Sequence, residues 1–387
     1  MRILLLPNAF KNALTAEEAG QAMVRGIRQI DPEVTIEMIP IPDGGDGTLS
    51  ALLPHFNAEK RKLQVSGPLG DPVNAFWGLN KTGGIAIIEL AEASGLQLIS
   101  PTKMDPWRAS TFGTGQLIRE ALREGCTTIY LTVGGSATVD GGLGILQALG
   151  AVFIDEQGHE VSITHLTDLF KVASISFVKL RQQLVNTKLV VLTDVENVLC
   201  GNEGAVQIYG PQKGIRTEDL ATFNALLEHW AWLLSTQTAL NIWELKGGGA
   251  SGGVPAGIAA CHDHVQIMSG AEWILDLNKI SERIQLADWV LTCEGKIDHQ
   301  TRFGKGPGRI AHLSETLMVP CVALCGQISE DYEAVHSPFT AVFSINRKPQ
   351  SLEVSIRDSA INLSHMAGQV YQLMALKRTK KSNKNIT

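Results

Sequence analysis

The chain contains 387 residues and weighs 41.8 kDa, a length that fits two α/β domains better than one core. Hydrophobic residues make up 44% and charged residues 19%, an ordinary globular composition that excludes disorder, collagen-like repeats and coiled-coil rods. The formal charge of −6 argues against a nucleic-acid partner, because a protein that binds a duplex needs a basic face.

Short apolar runs that end in glycine or an acidic residue recur along the chain and predict parallel strands buried on both faces. These runs are 2–7, 34–40, 85–90, 128–133, 188–193, 289–292 and 319–324, with one more from residue 341. Helical spacing of apolar residues separates them. Thr15 and Glu18 form a capping box at the first helix, and Thr114 is predicted as the N-cap of a helix that ends before Gly125. This alternation predicts an α/β protein with parallel sheets.

The order of the strands predicts two domains, of which one is discontinuous. The first two and the last three strands would form a five-stranded doubly wound domain from residues 1–61 and 275–387, with a frayed tail at 377–387. Residues 62–274 would form an inserted α/β domain with a mixed sheet. Its first strands are predicted to be antiparallel, because turn signals occur at 68–72 and 81–84.

The six cysteines form no CxxC pair, so we expect buried structural thiols instead of disulfides or a zinc site. The apolar run at the N-terminus is too short for a secretory signal, and no stretch approaches the length of a membrane span. These features predict a reduced, cytoplasmic protein.

Glycine-rich segments that carry acids follow several of the predicted strands, where parallel sheets bind their ligands. Asp43 and Asp46 stand three residues apart in a run of glycines. Carboxylates with little bulk around them suit a hydrated Mg²⁺. Taken alone, these residues are more simply explained as a tight turn with two solvated aspartates.

The segment 133–142 leads from a strand into a predicted helix at 143–149. Backbone N–H groups and a helix N-terminus form a natural phosphate cradle, to which hydroxyl groups add donors. A close packing turn also needs glycine, but four glycines and an aspartate in this segment favour an anion site. The residues assigned to it are Gly134, Gly135, Ser136, Thr138, Asp140 and Gly141.

Lysines and acids near other strand ends complete the candidate set. The lysines are Lys11, Lys213, Lys296 and Lys305. Each one alone is more simply a surface lysine. Asp194 and Glu294 follow buried strands, although either could instead cap a helix. Acids, lysines and glycine-rich loops without a nucleophile motif or a P-loop predict phosphoryl transfer, which needs positioning and charge neutralisation more than covalent chemistry.

Together these segments resemble the bacterial glycerate kinase family of type 1. The resemblance runs from residue 1 to about residue 375. Its matching stretches are 7–16, 43–48, 92–96, 113–115, 134–142, 210–214 and 294–298. It implies two α/β domains, one of them discontinuous and flavodoxin-like. It also implies ATP-dependent phosphorylation of D-glycerate at the 2-hydroxyl, giving 2-phosphoglycerate, with Mg²⁺. The charge and the hydropathy, independently of the resemblance, predict no nucleic-acid or membrane partner. Homodimer formation is left open.

The roles attached to this resemblance are hypotheses. Asp194 orients or deprotonates the glycerate hydroxyl, and Lys11 and Lys296 neutralise charge on the transferring group. The loop 134–142 and Lys213 cradle the ATP phosphates. The carboxylates assigned to Mg²⁺ or its waters are Asp43, Asp46 and Glu294. The residues assigned to the glycerate carboxylate are Ser94, Gly113 and Thr114.

One departure and two rival functions stay open beside this resemblance. Asn12 stands where family members usually have glycine, so it adds bulk beside Lys11. Residues 247–252 match G-x-G-x-x-G, with Glu272 twenty residues further on, which supports a dehydrogenase of a small hydroxy acid. That signal is weak because the preceding residues make a poor strand. A non-catalytic sensor of glycerate or nucleotide is the other alternative.

Overall fold

The computed structural model describes residues 1–41, 47–298, 301, 306–332 and 337–382, with side chains to residue 376. The chain divides into two compact units. The first consists of Met1–Asp43 and Ala271–Thr387, and the second of Gly44–Gly270. The division at 43/44 comes earlier in the chain than the expected one at 61/62, and the second lies at 270/271 instead of 274/275.

The described residues form thirteen strands and fourteen α-helices. The strands are β1 (Arg2–Pro7), β2 (Thr35–Met38), β3 (Glu59–Ser66), β4 (Pro72–Asn80), β5 (Ile85–Glu89), β6 (Thr128–Thr132), β7 (Val152–Ile154), β8 (Ser174–Ser176), β9 (Lys188–Leu192), β10 (Val265–Met268), β11 (Trp289–Ile297), β12 (Cys321–Ile328) and β13 (Ala341–Ser344). The helices are α1 (Ala16–Ile30), α2 (Thr48–His55), α3 (Ala91–Ser94), α4 (Phe112–Arg123), α5 (Leu143–Ala148), α6 (Val178–Leu184), α7 (Ala205–Tyr209), α8 (Leu220–Ser235), α9 (Val254–Cys261), α10 (Gly270–Leu277), α11 (Ile280–Gln285), α12 (Gly306–Thr316), α13 (Leu352–Arg357) and α14 (Ser359–Ser382).

The first unit is built on a five-stranded sheet that is parallel throughout, in the order β13-β12-β11-β1-β2. Numbered within the unit, this is the flavodoxin-like order 2-1-3-4-5, which confirms the predicted fold class. Helices α1 and α14 pack against each other and against the sheet. The strand order reverses between β1 and β11, which makes the carboxyl ends of these two strands the expected place for a ligand.

The second unit contains a six-stranded mixed sheet in the order β10-β9-β6-β5-β4-β3. Neighbours from β10 to β5 are parallel, whereas β5, β4 and β3 pair antiparallel across the predicted turns. Strand β3 pairs with β4 and α2 packs on β5, so residues 48–66 fold with this unit. That pairing explains why the first division of the chain comes before residue 48.

The two predicted helix starts have different outcomes. At α1 the capping box is confirmed, since the Thr15 hydroxyl accepts from the Glu18 N–H at 3.2 Å and the Glu18 carboxylate accepts from the Thr15 N–H at 2.8 Å. At α4 the prediction is wrong, because Thr111 is the N-cap and Thr114 lies within the first turn. The reason is a tertiary contact, because the hydroxyl and N–H of Thr111 both donate to Asp140.

All six cysteines lie in the described part of the chain, and they are free thiols. Five are buried and Cys200 is half-buried, as expected of structural thiols. Burial raises the pKa of Cys261 and of Cys321 to about 12, which keeps these thiols protonated and unreactive. Among the described residues, no helix is both long and apolar enough to cross a membrane.

Candidate functional site

In the second unit, the carboxyl ends of β5, β6, β9 and β10 lie side by side. The segments that follow β5 and β6 are joined by backbone hydrogen bonds. The Ala137 N–H donates to the Ser94 carbonyl at 2.9 Å, and the Leu96 N–H donates to the Gly135 carbonyl at 2.8 Å. Two of the predicted segments, far apart in the sequence, therefore meet at this edge of the sheet.

Ser94 and Thr114, the side chains predicted for the glycerate carboxylate, are brought together inside the protein. Both are fully buried, and their hydroxyl oxygens lie 2.8 Å apart. The Thr114 hydroxyl also donates to the Leu90 carbonyl at 3.4 Å. Gly113 packs so closely that a Cβ atom there would lie 1.8 Å from the Ser66 carbonyl oxygen. These contacts fix α4 beneath the edge and leave neither hydroxyl exposed.

The carboxylate of Asp140 is also buried, with 3% of the residue exposed. It accepts hydrogen bonds from the N–H and hydroxyl of Thr111, both at 2.8 Å, and from the N–H groups of Gly142 and Gly144 at 3.1 and 3.2 Å. Burial raises the pKa of Asp140, and these hydrogen bonds oppose the rise. The N–H groups at the start of α5 thus already bind an acid of the chain itself.

Lys213 supports the same loop from within the protein. Only 3% of this residue is exposed, and its Nζ donates to the Ser136 hydroxyl at 2.7 Å and to the Thr138 carbonyl at 2.8 Å. Burial lowers the pKa of Lys213 to about 7, although the negative charge of Asp140 acts in the opposite direction. Gly134 is half-buried and Gly135 is exposed, so the open part of the loop lies at these two glycines.

The other end of this loop packs against the segment 247–252. The Gly141 N–H donates to the Gly252 carbonyl at 2.8 Å, and the Trp230 ring N–H donates to the Gly141 carbonyl at 2.9 Å. Gly141 has a φ of +63°, and a Cβ atom there would lie 2.3 Å from the Trp230 ring. Residues 247–252 follow a 3₁₀ turn, Ile242–Glu244, and therefore lack the strand that the dinucleotide motif requires.

Asp194 follows β9 and is partly exposed. Its carboxylate accepts a hydrogen bond from the Ser269 hydroxyl at 2.9 Å, and Ser269 follows the neighbouring strand β10. The nearby backbone is fixed by a 2.8 Å hydrogen bond from the Gly249 N–H to the Asn197 carbonyl. Asp194 is thus an oriented carboxylate at the sheet edge that keeps some surface for a ligand.

Glu89, at the end of β5, is a buried acid that the sequence analysis missed. It is 4% exposed and accepts from the N–H groups of Gly47 and Leu49 at 3.1 and 3.0 Å, which caps the start of α2. The available signal was an acid at the end of a buried strand. Asp43 and Asp46, predicted to bind Mg²⁺, precede this helix and lie outside the described residues.

In the first unit, Lys11 lies just after β1, and Glu294 and Lys296 lie in the last part of β11, whereas Lys305 is outside the described residues. Lys11 and Lys296 are exposed, and a Cβ atom on Gly295 would lie 3.5 Å from the Lys11 backbone nitrogen. The Glu294 carboxylate accepts from the Thr301 hydroxyl at 3.4 Å. Lys296 lies 3.9 Å from a carboxylate oxygen of Asp298. The edge therefore carries exposed charges of both signs.

Within the described residues, no three or more His, Cys, Asp or Glu side chains are grouped so that they could hold a metal ion. Magnesium needs fewer protein ligands, because it keeps several waters and binds the phosphates of its substrate. Glu294, a partly buried carboxylate that lies within β11 and not after it as predicted, fits as one such ligand.

A two-unit α/β protein with acids and lysines at the carboxyl edges of its sheets has the features of an enzyme that transfers charged groups. The sequence matches the glycerate kinase family over residues 3–375. The chain therefore belongs to this family and is an enzyme of the kinase class.

Individual relatives are similar over nearly their whole length. A glycerate kinase of Halalkalibacterium halodurans is 36% identical over 369 residues, which covers 95% of this chain and 97% of the relative. A glycerate 2-kinase of Escherichia coli K12 is 34% identical over 382 residues, covering 97% and 98%. A crystal structure from Salmonella typhimurium LT2, assigned as a glycerate kinase 2, aligns with a TM-score of 0.83 at 34% identity and covers 98% of this chain and 99% of that one.

Proposed function

We propose that this chain transfers the γ-phosphoryl group of ATP to the 2-hydroxyl of D-glycerate, giving 2-phosphoglycerate and ADP with the help of Mg²⁺. The observation that carries the proposal is the family match over residues 3–375. The choice of the 2-hydroxyl is supported by the Escherichia coli relative, which is named a glycerate 2-kinase. Acids and lysines at the sheet edges supply the charges that such a transfer needs.

In the proposed step, the 2-hydroxyl oxygen bonds to the γ-phosphorus while the bond from that phosphorus to the bridging oxygen of ADP breaks. The hydroxyl proton passes to a carboxylate. We assign this role to Asp194, because it is partly exposed and its orientation is fixed by Ser269. A carboxylate in hydrogen-bond reach of a hydroxyl can both orient it and accept its proton.

The remaining roles follow from exposure. Lys11 and Lys296 have the free surface needed to neutralise a transferring phosphoryl group. The phosphates of ATP would meet the loop at its open glycines, Gly134 and Gly135, with Lys213 holding the loop from behind. Ser94, Gly113 and Thr114 support that loop and α4 instead of contacting glycerate. These three residues are buried, which leaves them no surface for glycerate.

For the metal, Glu294 is the ligand candidate with described surroundings, and Asp43 and Asp46 complete the proposed set. When bound, Mg²⁺ would screen the negative charge of the phosphates. A kinase reaction that continues at full rate in excess chelator would contradict this part of the proposal.

Phosphorus NMR of the product made from ATP and D-glycerate tests the reaction and its position together. A phosphate ester at the 2-position is coupled to one proton and gives a doublet, whereas an ester at the 3-position is coupled to two and gives a triplet. We expect a doublet and a matching amount of ADP. A triplet would reassign the hydroxyl, and ligand binding without ADP release would favour a sensor. Reduction of added NAD(P)⁺ by glycerate would favour a dehydrogenase.

A further inference from the structure

Residues 247–253 form a glycine segment that the proposed function does not use. The sequence analysis considered part of it as a dinucleotide motif, in which glycines let the backbone approach a pyrophosphate. Here the glycines approach the backbone of the chain itself, within the second unit. They contact two loops that the proposed function does use, the loop 134–142, assigned to the ATP phosphates, and the loop 193–199, which carries Asp194.

On one side the glycine segment contacts the loop 193–199. The Gly249 N–H donates to the Asn197 carbonyl at 2.8 Å. A Cβ atom on Gly249 would lie 2.1 Å from the Val198 carbonyl oxygen, whereas ordinary contact begins at 3.4 Å. Gly249 has a φ of −83° and a ψ of −7°, which any residue can adopt. Only the closeness of Val198 therefore requires glycine at this position.

The backbone next to Asp194 takes part in the same contact. A Cβ atom on Gly247 would lie 3.1 Å from the carbonyl oxygen of Val195, the residue that follows Asp194. The Asp194 carboxylate is held separately, by the hydroxyl of Ser269. The glycine segment thus positions the backbone of the proposed base, and Ser269 orients its side chain.

On its other side the glycine segment contacts the loop 134–142. The Gly252 carbonyl accepts a hydrogen bond from the Gly141 N–H at 2.8 Å. A Cβ atom on Gly252 would lie 2.1 Å from the Thr138 carbonyl oxygen, so close packing requires glycine here as well as its φ of +71°. Two backbone contacts therefore join the glycine segment to this loop.

Gly253 connects the two sides, because a Cβ atom there would meet both loops. It would lie 2.5 Å from Cδ1 of Leu199 and 2.8 Å from Cα of Gly141. The glycine segment therefore lies between the two loops and touches each of them through its own backbone atoms. A spacer made of backbone has no rotamers, so it holds a more constant distance than a side chain would.

We propose that Gly249 and Gly252 are positioning residues that set the distance between the loop 134–142 and the carboxylate of Asp194. This inference rests on the proposed function, which places the ATP phosphates at the loop and the glycerate hydroxyl at Asp194. Reacting atoms must lie about 3–3.5 Å apart before transfer, and a misplacement of about 1 Å can lower the rate roughly a hundredfold.

Gly249→Ala is the main test. Its methyl group must displace Val198 by more than about 1 Å, while each loop keeps its own polar groups. We expect kcat to fall roughly tenfold to a hundredfold. The KM values for ATP and for D-glycerate should stay within about threefold of wild type, because each substrate keeps its own contacts. Gly252→Ala, which displaces Thr138, should give the same pattern.

The matched control is Gly248→Ala, in the same stretch of chain. A Cβ atom on Gly248 would meet Leu245, at 2.8 Å from its carbonyl oxygen, and Leu245 belongs to neither loop. Melting curves show which variants fold, and kcat is compared per folded molecule. A kcat for folded Gly249→Ala within about twofold of this control would overturn the proposal. Raised KM values at unchanged kcat would also overturn it, because they would show that the glycines support each loop separately.

Hydrogen exchange of the wild-type protein gives an answer even where a variant does not fold. The amide protons of Gly141 and Gly249 make the two connecting hydrogen bonds, and we expect both to exchange much more slowly than that of the exposed Gly135. Exchange of either at the rate of an unstructured chain would overturn the proposal. Absence of turnover by the wild type in phosphorus NMR would contradict the proposed function itself. An active wild type beside equally active glycine variants would contradict only the positioning role.

Discussion

The carboxyl edges of the two sheets differ in how their polar groups are satisfied. In the six-stranded sheet, the polar groups of Asp140, Lys213, Ser94 and Thr114 are buried and bonded within the chain. In the five-stranded sheet, Lys11 and Lys296 are exposed and Glu294 is partly exposed. The same types of polar residue are therefore buried and hydrogen-bonded at one sheet and exposed to solvent at the other.

This difference indicates a division between support and contact. Buried side chains that are hydrogen-bonded, such as Asp140 and Lys213, are rigid, because a rotation breaks a hydrogen bond in a region of low dielectric. Two buried hydroxyls at the same end of this sheet, those of Thr132 and Thr138, have no hydrogen-bond partner among the described residues. The exposed charges of the five-stranded sheet are free to contact a ligand. We therefore expect substitutions in the first unit to change substrate affinity or rate. Those in the buried network of the second unit should first change stability, with the partly exposed Asp194 as the exception.

Asp194→Asn should have the largest effect on activity. The amide keeps the shape and can accept from Ser269, but it cannot take a proton. Loss of a positioned general base lowers turnover by roughly 10²–10⁴-fold, and we expect a fall in this range. Steady-state release of ADP measures it. Asp219→Asn is the control, since Asp219 pairs with the exposed Arg216. A fall below about tenfold in a folded Asp194 variant would remove this residue from the chemical step.

Lys11→Met should have the next largest effect. It removes an exposed cation from the edge of the five-stranded sheet while keeping a flexible side chain. A charge-assisted hydrogen bond contributes about 1.5–3 kcal/mol, so kcat/KM should fall roughly tenfold to a hundredfold. The control is Arg28→Met, which removes an exposed cation from α1. Equal activities for the two variants would mean that Lys11 is only a surface lysine.

Lys213→Met tests the supporting role through the pH dependence of stability. The pKa of Lys213 is about 7 in the folded protein and 10.5 in its ordinary state. Between these values the unfolded chain binds a proton that the folded chain does not, so the stability of wild type should rise with pH relative to the variant. The slope is at most about 1.4 kcal/mol per pH unit, and it disappears below pH 7. Urea unfolding of both proteins on each side of pH 7 measures the difference, and a difference independent of pH would contradict the buried position.

Much of the fold could be predicted, because buried parallel strands are recognisable in a sequence as short apolar runs. All eight predicted strands are present, and the turns at 68–72 and 81–84 connect antiparallel strands. The short strands β7, β8 and β10 were missed. Strands β7 and β8 have three residues each, too few for a pattern to stand out. The prediction that Thr114 is the N-cap of α4 was wrong. Thr111 is the N-cap instead, and it is held by hydrogen bonds to Asp140, a residue distant in the sequence.

The site was less predictable than the fold, because a sequence carries no direct record of burial. The sequence predicted that Asp140 belongs to an anion-binding loop, yet the carboxylate of Asp140 accepts hydrogen bonds from N–H groups of its own chain. The sequence predicted that Lys213 binds phosphate, whereas its Nζ donates a hydrogen bond to the Ser136 hydroxyl of the loop 134–142. Long-range contacts decided both positions.

The smallest effect is expected at Asn12, the residue beside Lys11. Its φ is +62°, in the left-handed region that glycine and asparagine tolerate better than other residues. Asn12→Gly should therefore keep the conformation of the loop. We expect its activity to equal that of wild type and its free energy of unfolding to stay within about 0.5 kcal/mol of wild type. Asn12→Val should lose about 1–2 kcal/mol, because a β-branched residue is strained in this conformation. Chemical denaturation of the two variants measures the contrast. A valine variant as stable as the glycine variant would mean that the loop beside Lys11 adopts another backbone conformation.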